Sequence, residues 1–237
     1  MLPRWDEAVR PPPREIAEDL HSIERRFFLP GGVALPTRSL VVRCQGGALA
    51  VISPPPDEDA RRDVAALGSV RFLVAPNSFH HVGIASWAAA FPEARILLAP
   101  GLRARRPELP GGDELAEGAP APFADVLAHT VLGPFRGVSE VAFFHRPSRT
   151  LILTDVCFHI QQAPRLRDRV GLRMLGAWRR FGPARTVRAA LLRDRAQVAR
   201  FVERICRWDF ERIVVAHGEP LEPAGPEPLR EALRAHR

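Results

Sequence analysis

A chain of 237 residues, of which 46% are hydrophobic and 26% charged, has the composition of a soluble globular protein with one sizeable core. Its formal net charge is +7, and all 34 basic residues are arginine, so these groups stay charged at any working pH. Apolar runs long enough to span a membrane are absent, as are CxxC pairs among the three cysteines, which excludes a transmembrane helix and favours reduced thiols.

Residues 1–36 form a proline-rich lead-in without the apolar segment of a signal peptide, so we expect the protein to be cytoplasmic. Within this lead-in, residues 15–28 have the composition of a short helix that ends at the Pro-Gly-Gly of residues 30–32. The apolar runs SLVVRC and ALAVISP on either side of residues 45–47 predict a β-hairpin. The next segment, DEDARRDVAALG, has helical spacing and a terminal glycine, which predicts a helix.

Strands and helices alternate in the rest of the sequence. The runs VRFLVAP and ARILLAP predict buried strands separated by the helix GIASWAAAF, and a Gly/Pro-rich loop fills residues 101–122. EVAFFH and TLILTD predict two more strands, residues 163–208 are helical in pattern and rich in arginine, and the strand ERIVVA precedes a short C-terminal helix. This order predicts a layered α/β or α+β fold.

Side chains that bind metals follow three of the predicted strands. His80 and His81 come after VRFLVA, Asp155 ends TLILTD, and His217 follows ERIVVA. A rigid sheet positions functional groups at its strand ends, and imidazole with carboxylate suits zinc, iron or manganese. Each residue also has a simpler interpretation: the histidine pair as exposed loop residues, Asp155 as a cap, and His217 as a donor to a backbone carbonyl.

Five stretches of the chain resemble the metallo-β-lactamase superfamily of hydrolases, in a branch of unknown function. They are RSLVVR, GGALAVISP, the run from VRFLVAPN to ILLAPGL, SEVAFFHRPSRTLILTD and VVAHGEP, which together span about residues 38–219. The resemblance implies a single domain over residues 1–237 with an αββα sandwich. In that fold two mixed sheets pack face to face, helices lie outside them, and metal binds at one edge.

The superfamily's H-x-H-x-D-H motif aligns with residues 76–81, but this chain departs from it in a regular way. Pro76 and Ser78 replace the first two histidines. The stretch GPFRGVSE lacks the third histidine of the superfamily, for which Glu140 or His129 is a candidate substitute. The resemblance implies that the three missing histidines are those that build the first metal site.

The residues that remain correspond to the superfamily's second metal site. They are His80, at the position of the motif's aspartate, and His81, Asp155 and His217. The resemblance therefore implies one divalent transition metal, zinc, iron or manganese, held by these four residues. Such an ion polarises a carbonyl or phosphoryl oxygen and lowers the pKa of a bound water to about 7. We predict a metal-dependent hydrolase that acts on a small-molecule ester, lactone, thioester or phosphoester.

Four protein ligands would fill a tetrahedral zinc ion, and closed zinc sites are usually structural. Catalysis then requires a metal of higher coordination number or the release of one residue from the ion. His80 is the candidate for release, because a free imidazole beside the ion can act as a general base. Glu140 and His159 are further catalytic candidates, as partners of the ligands or as proton carriers. Each is equally explained as an ordinary strand-edge acid or loop histidine.

The distribution of arginine favours a different class of function. Residues 164–212 contain fourteen arginines against five acidic residues, a local charge of +9. This excess is typical of a non-catalytic protein that binds nucleic acid or an anionic surface. Apolar residues at helical spacing in the same segment also fit outer helices whose arginines are merely solvated. We give precedence to the hydrolase hypothesis, because it accounts for the residues at the strand ends.

Overall fold

In the computed structural model, which describes residues 4–8 and 10–234, two β-sheets pack face to face between layers of helix. The described residues form twelve strands: β1 (Arg4–Trp5), β2 (Arg14–Ala17), β3 (Leu20–Phe28), β4 (Ala34–Arg43), β5 (Ala48–Ile52), β6 (Ser69–Ala75), β7 (Arg95–Leu98), β8 (Asp113–Glu114), β9 (Leu127–Phe135), β10 (Val138–His145), β11 (Thr150–Leu153) and β12 (Arg212–Val215). The same residues form seven α-helices: α1 (Glu58–Leu67), α2 (Ile84–Ala90), α3 (Leu102–Arg105), α4 (Leu166–Leu175), α5 (Arg185–Leu191), α6 (Arg195–Ile205) and α7 (Pro226–Arg234).

Both sheets are mixed. The first has the strand order β1-β3-β4-β5-β6-β7-β8, with β2 paired to β3; it is antiparallel as far as β5 and parallel from β5 to β8. The second has the order β12-β11-β10-β9, in which only the β11–β12 pair is parallel. The apolar runs of the sequence therefore form strands that are buried within each sheet.

The side chains of each strand alternate between two apolar layers. In β10, Phe143 points into the core between the sheets, where it joins Leu40 and Val74 of the first sheet. Its neighbour Phe144 points outward and packs with the helices α4 to α7. Helices α1 and α2 cover the outer face of the first sheet, where Trp87 is fully buried. This arrangement confirms the predicted αββα sandwich of the metallo-β-lactamase type.

The prediction of a helix over residues 15–28 is wrong, because these residues form β2 and β3. All nine residues of β3 pair with β4, from Leu20 opposite Val42 to Phe28 opposite Ala34. Glu and Arg in this segment favour a helix when considered locally. Pairing with the long apolar strand β4 supplies the backbone hydrogen bonds instead, since strand preference depends on the neighbouring strand more than on composition.

The other predicted elements agree with the structure in type. The hairpin around residues 45–47 is the antiparallel pair β4–β5, and the arginine-rich segment 163–208 contains α4, α5 and α6. The loop at 101–122 includes the single-turn helix α3 and the two-residue strand β8. Across residues 4–8 and 10–234, none of the helices has the length and hydropathy needed to cross a membrane.

Candidate metal centre

Three strands end at the same edge of the sandwich and carry polar side chains there. Asp155 and His217 follow β11 and β12 by two residues each, and because these strands are parallel their ends lie side by side. Strand β6 belongs to the other sheet, but a hydrogen bond of 2.9 Å from Val141 N to Pro76 O joins its end to β10. The turn after β6 therefore brings His80 to the other two residues.

The side chains of His80, Asp155 and His217 converge on one point. His80 Nε2 lies 3.2 Å from His217 Nε2 and 3.4 Å from Asp155 Oδ2, and His217 Nε2 lies 3.2 Å from Asp155 Oδ1. All three are buried, with side-chain exposures of 7%, 7% and 3%. Of the His, Cys, Asp and Glu side chains in the described part of the chain, only these three form a group whose potential ligand atoms lie within 4.8 Å of one another.

The second nitrogen of each imidazole is held by a neighbour outside the group. His217 Nδ1 lies 2.8 Å from Pro36 O, and because a carbonyl oxygen can only accept, Nδ1 carries the proton. In the neutral ring, the lone pair of His217 Nε2 then faces the Asp155 carboxylate. His80 Nδ1 lies 2.6 Å from Ser53 Oγ. Acceptors at such distances repel one another unless a proton or a cation lies between them.

The spacing and chemistry of these atoms fit a divalent metal ion. Bonds of about 2.0–2.1 Å to nitrogen and oxygen place neighbouring ligands of a tetrahedral ion about 3.3 Å apart. The observed distances of 3.2, 3.2 and 3.4 Å agree with that value. Two imidazoles and a carboxylate also form a donor set that zinc, iron and manganese accept. Three protein ligands leave a coordination position open, as in catalytic zinc sites.

Asn77 connects two of the three residues, and sequence reasoning missed it. Its Nδ2 donates to Asp155 Oδ2 at 2.7 Å, while its Oδ1 accepts from the backbone N–H groups of Phe79 and His80, each at 2.8 Å. The side chain thus shapes the turn that carries His80 and orients the Asp155 carboxylate at the same time. The available signal was an asparagine directly after a buried strand, a position where its side chain typically bonds to the backbone of a turn.

Glu140 supports the loop that carries Asp155. Its carboxylate is fully buried and accepts hydrogen bonds of 3.0 Å from the N–H groups of Thr154, Asp155 and Val156, and one of 3.1 Å from Asn77 Nδ2. Burial and the nearby charge of Asp155 raise the pKa of Glu140 to about 7. Both of its oxygens face these donors, and Glu140 lies outside the three-residue group, so it does not stand in for the missing third histidine.

The group is electrostatically coupled. Burial acts to raise the pKa of Asp155, but the charge of His80 and the hydrogen bonds from both histidines outweigh it and hold that pKa well below the usual range. Burial likewise acts to lower the pKa of His80, and the Asp155 carboxylate, with a smaller contribution from Glu140, raises it above the ordinary value. The raised pKa of His80 means that, without an ion, a proton lies among these atoms, and a metal ion that binds there would displace it.

His81 is placed away from this group. The ring is half-buried, and its surroundings include Arg106 and Glu108 instead of Asp155 and His217. Burial, followed by the charge of Arg106, lowers the pKa of His81, so the imidazole is neutral near pH 7. The structure therefore brings together three of the four residues that the sequence proposed as ligands.

The two other histidines considered in the sequence lie in separate places. His159 is partly exposed and lies on a segment paired with the one that carries His217, with the His159 backbone N–H bonded to His217 O at 2.9 Å. Its Nδ1 donates to Glu219 O at 2.9 Å, which leaves Nε2 as the acceptor nitrogen of the neutral ring. His129 lies in β9 and its Nε2 is 3.1 Å from Ala116 O, outside the group.

The sandwich and the position of this site define the protein as a member of the metallo-β-lactamase fold class. A metallo-β-lactamase from Pontibacter korlensis superimposes with a TM-score of 0.67 at 12% identity, over 95% of this chain and 99% of that one. The metallo-β-lactamase FIM-1 from Pseudomonas aeruginosa, solved in a mono-zinc form, gives 0.64 at 11% identity, over 95% of each chain. The metal-soaked Flv1 flavodiiron core from Synechocystis sp. PCC6803 gives a TM-score of 0.64 at 11% identity. The match covers 99% of this chain but only 60% of the Flv1 chain.

At these identities the likeness establishes the fold and not the activity. The family itself is shown by the sequence. The chain belongs to the family described as Domain of unknown function (DUF4336), which matches residues 18–169, more than half of its length. No curated protein matches the chain.

Proposed function

We propose that this protein is a metal-dependent hydrolase with a single divalent ion held by His80, Asp155 and His217. The observation that carries the proposal is the convergence of three potential ligand atoms at 3.2–3.4 Å, while the remaining nitrogen of each ring is bonded to Ser53 or Pro36. Ligands fixed in this way need little rearrangement to bind an ion. The mono-zinc form of FIM-1 indicates that a protein of this fold can hold a single zinc ion.

A divalent ion in this position supplies Lewis acidity, which polarises a carbonyl or phosphoryl oxygen and lowers the pKa of water. The chain's own residues orient and protect the site. Asn77 and Glu140 fix the loop and carboxylate of Asp155, and burial of the three ligands keeps bulk water away. His159 is the proposed proton carrier, because its Nε2 is an acceptor and the ring is partly exposed. The proposed substrates are esters, lactones, thioesters or phosphoesters, and the ion is zinc, iron or manganese.

Elemental analysis of the purified protein tests the metal site. We expect close to one transition-metal ion per chain, and a marked loss of metal in His80→Ala, Asp155→Ala and His217→Ala. His81→Ala is the matched control, since it removes the adjacent imidazole and should leave the metal content unchanged. Full metal occupancy in both Asp155→Ala and His217→Ala would rule out the site.

Hydrolysis is tested separately with the metal-loaded protein. A panel of ester, lactone, thioester and phosphodiester substrates is compared with the same protein after chelator treatment. We expect metal-dependent turnover of at least one class, with a lower rate in His159→Ala at unchanged metal content. Inactivity of fully loaded protein on every class would contradict hydrolysis even if the metal site is correct.

A further inference from the structure

Helix α4 exposes a stripe of large apolar side chains to solvent. Leu166, Val170 and Met174 are 73%, 47% and 70% exposed, and they account for three of the four large exposed hydrophobic residues in the described part of the chain. The fourth is Phe79, which is 56% exposed. Residues four apart lie above one another on a helix, so the three side chains form one continuous stripe. Apolar stripes at this spacing usually face a core, and this one faces outward.

The opposite face of α4 is fixed to the protein, so the helix cannot turn the stripe inward. Asp168 is 2% exposed, and its Oδ1 accepts from Ala34 N at 2.9 Å. Leu172 is buried in the core beneath the helix. Gly171 lies so close to Val33 that an added Cβ would be 2.4 Å from Val33 Cγ2. The stripe is therefore a rigid surface of the folded protein.

The chain segment that carries the stripe is positively charged and contains no exposed acid. Residues 164–180 contain six arginines, and the one acidic residue among them is the buried Asp168. Five of the arginines are exposed: Arg165, Arg167, Arg169, Arg173 and Arg179. With about 100° per residue, Arg169 and Arg173 lie along one side of the stripe and Arg167 along the other. We call the stripe together with these three arginines the α4 face.

We propose that the α4 face binds the surface of an anionic phospholipid bilayer. An apolar stripe that enters the headgroup region, flanked by cations that meet lipid phosphates, is the pattern by which helices lie on membranes. The charge argues against a second copy of the chain, because a two-fold interface would bring these arginines against their equivalents, and the segment that carries them has no exposed acid. Leu166, Val170 and Met174 also offer no aromatic ring on which nucleic-acid bases could stack.

Vesicle sedimentation of the full chain tests this surface. Neutral phosphatidylcholine vesicles are compared with vesicles containing about one third phosphatidylglycerol, at low and high salt. We expect at least tenfold tighter binding to the anionic vesicles, weakened by salt. The triple variant Leu166→Ser, Val170→Ser and Met174→Ser should lower that binding at least tenfold, whereas Phe79→Ser, the matched exposed control, should not. Arg169→Gln and Arg173→Gln should each lower it about fivefold.

Circular dichroism spectra and thermal unfolding midpoints matching those of the unmodified protein verify that each variant is folded. No binding to anionic vesicles at low salt, or equal binding by the triple variant, overturns the proposal. Sedimentation velocity on the lipid-free protein tests whether the α4 face binds a second copy of the chain instead. A dimer that the triple variant abolishes would assign the α4 face to that contact and overturn the membrane proposal. Duplex DNA binding that the same three substitutions remove assigns it to nucleic acid. Neither result depends on the hydrolase proposal.

Discussion

Replacing Ser53 by alanine tests whether His80 is a metal ligand. When His80 Nε2 binds an ion, the ring proton lies on Nδ1, where it can donate to Ser53 Oγ at 2.6 Å. Ser53→Ala leaves that buried N–H without its acceptor, at a cost of about 1–3 kcal/mol. Since 1.4 kcal/mol is about tenfold in a binding constant, we expect metal affinity to fall about 10- to 100-fold.

Chelator competition on metal-free protein measures this affinity directly. Ser139→Ala is the matched control, because Ser139 is also buried and donates to a carbonyl, Pro100 O, at 2.6 Å, but contacts none of the three ligands. It should lower the free energy of unfolding by about 1 kcal/mol and leave metal affinity within twofold. Ser53→Gly provides a second variant. Ser53 has a φ of 58°, which glycine adopts without strain, so this change removes the hydroxyl while relaxing the backbone.

Both Ser53 variants should therefore bind metal more weakly, although their stabilities differ. If Ser53→Ala and Ser53→Gly bind metal as tightly as the unmodified protein, His80 Nδ1 does not depend on Ser53 in the loaded state. If the two variants lose affinity only in proportion to their loss of stability, the effect is a general one. Either result would refute the reasoning that Ser53 holds His80 in the orientation that binds the ion.

Two further predictions concern buried groups beside and away from the site. Glu140→Gln should lower the free energy of unfolding by about 2 kcal/mol in urea titrations, because an amide nitrogen would face backbone N–H donors of residues 154–156. An unchanged urea midpoint would contradict the conclusion that Glu140 holds this loop. Burial lowers the pKa of His145 from 6.5 to about 4, so the unfolded chain binds the extra proton between these values. The contribution of His145 to stability is then complete above pH 6.5 and falls by up to about 3 kcal/mol as the pH drops towards 4. Because the raised pKa of Glu140 acts in the opposite direction over this range, the measurement is the difference in the free energy of unfolding between chelator-treated protein and His145→Gln at each pH. A difference that does not change between pH 6.5 and 4 would exclude His145 as a cause.

The sequence predicted the strands that form from short, mainly apolar runs, because such a run indicates a buried strand without knowledge of its partner. VRFLVA lies in β6 and TLIL forms β11. The prediction for the lead-in was wrong for the opposite reason. β3 contains His, Ser, Glu and Arg, and it is a strand because it pairs with β4, which follows it after a turn. The composition of residues 15–28 does not indicate that they pair with β4.

The candidate site was predictable to a similar extent. The order of strand ends indicated that His80, Asp155 and His217 could meet, since parallel and adjacent strands finish at a common edge. Nothing in the pattern HH distinguishes His80 from His81. The distinction arises in three dimensions, where the Asn77 side chain bonds to the His80 N–H and sets the turn. Glu140 is a similar case, because its part in holding residues 154–156 depends on contacts between β10 and the end of β11.

The environment of the site supports the proposal that its polar residues form a binding centre and are not the remnants of one. A buried polar group that lacks partners costs about 1–3 kcal/mol, and an apolar replacement of equal shape is often neutral or stabilising. Here Ser53, Asn77 and Glu140 each donate to or accept from a ligand or its backbone, so the surrounding residues are arranged around the ligands. The potential ligand atoms differ from these neighbours, since His217 Nε2 faces the carboxylate of Asp155 and their repulsion is relieved only by a proton or a cation. The raised pKa of His80 shows that a proton fills this role without an ion, and the same arrangement supports the proposed cation site.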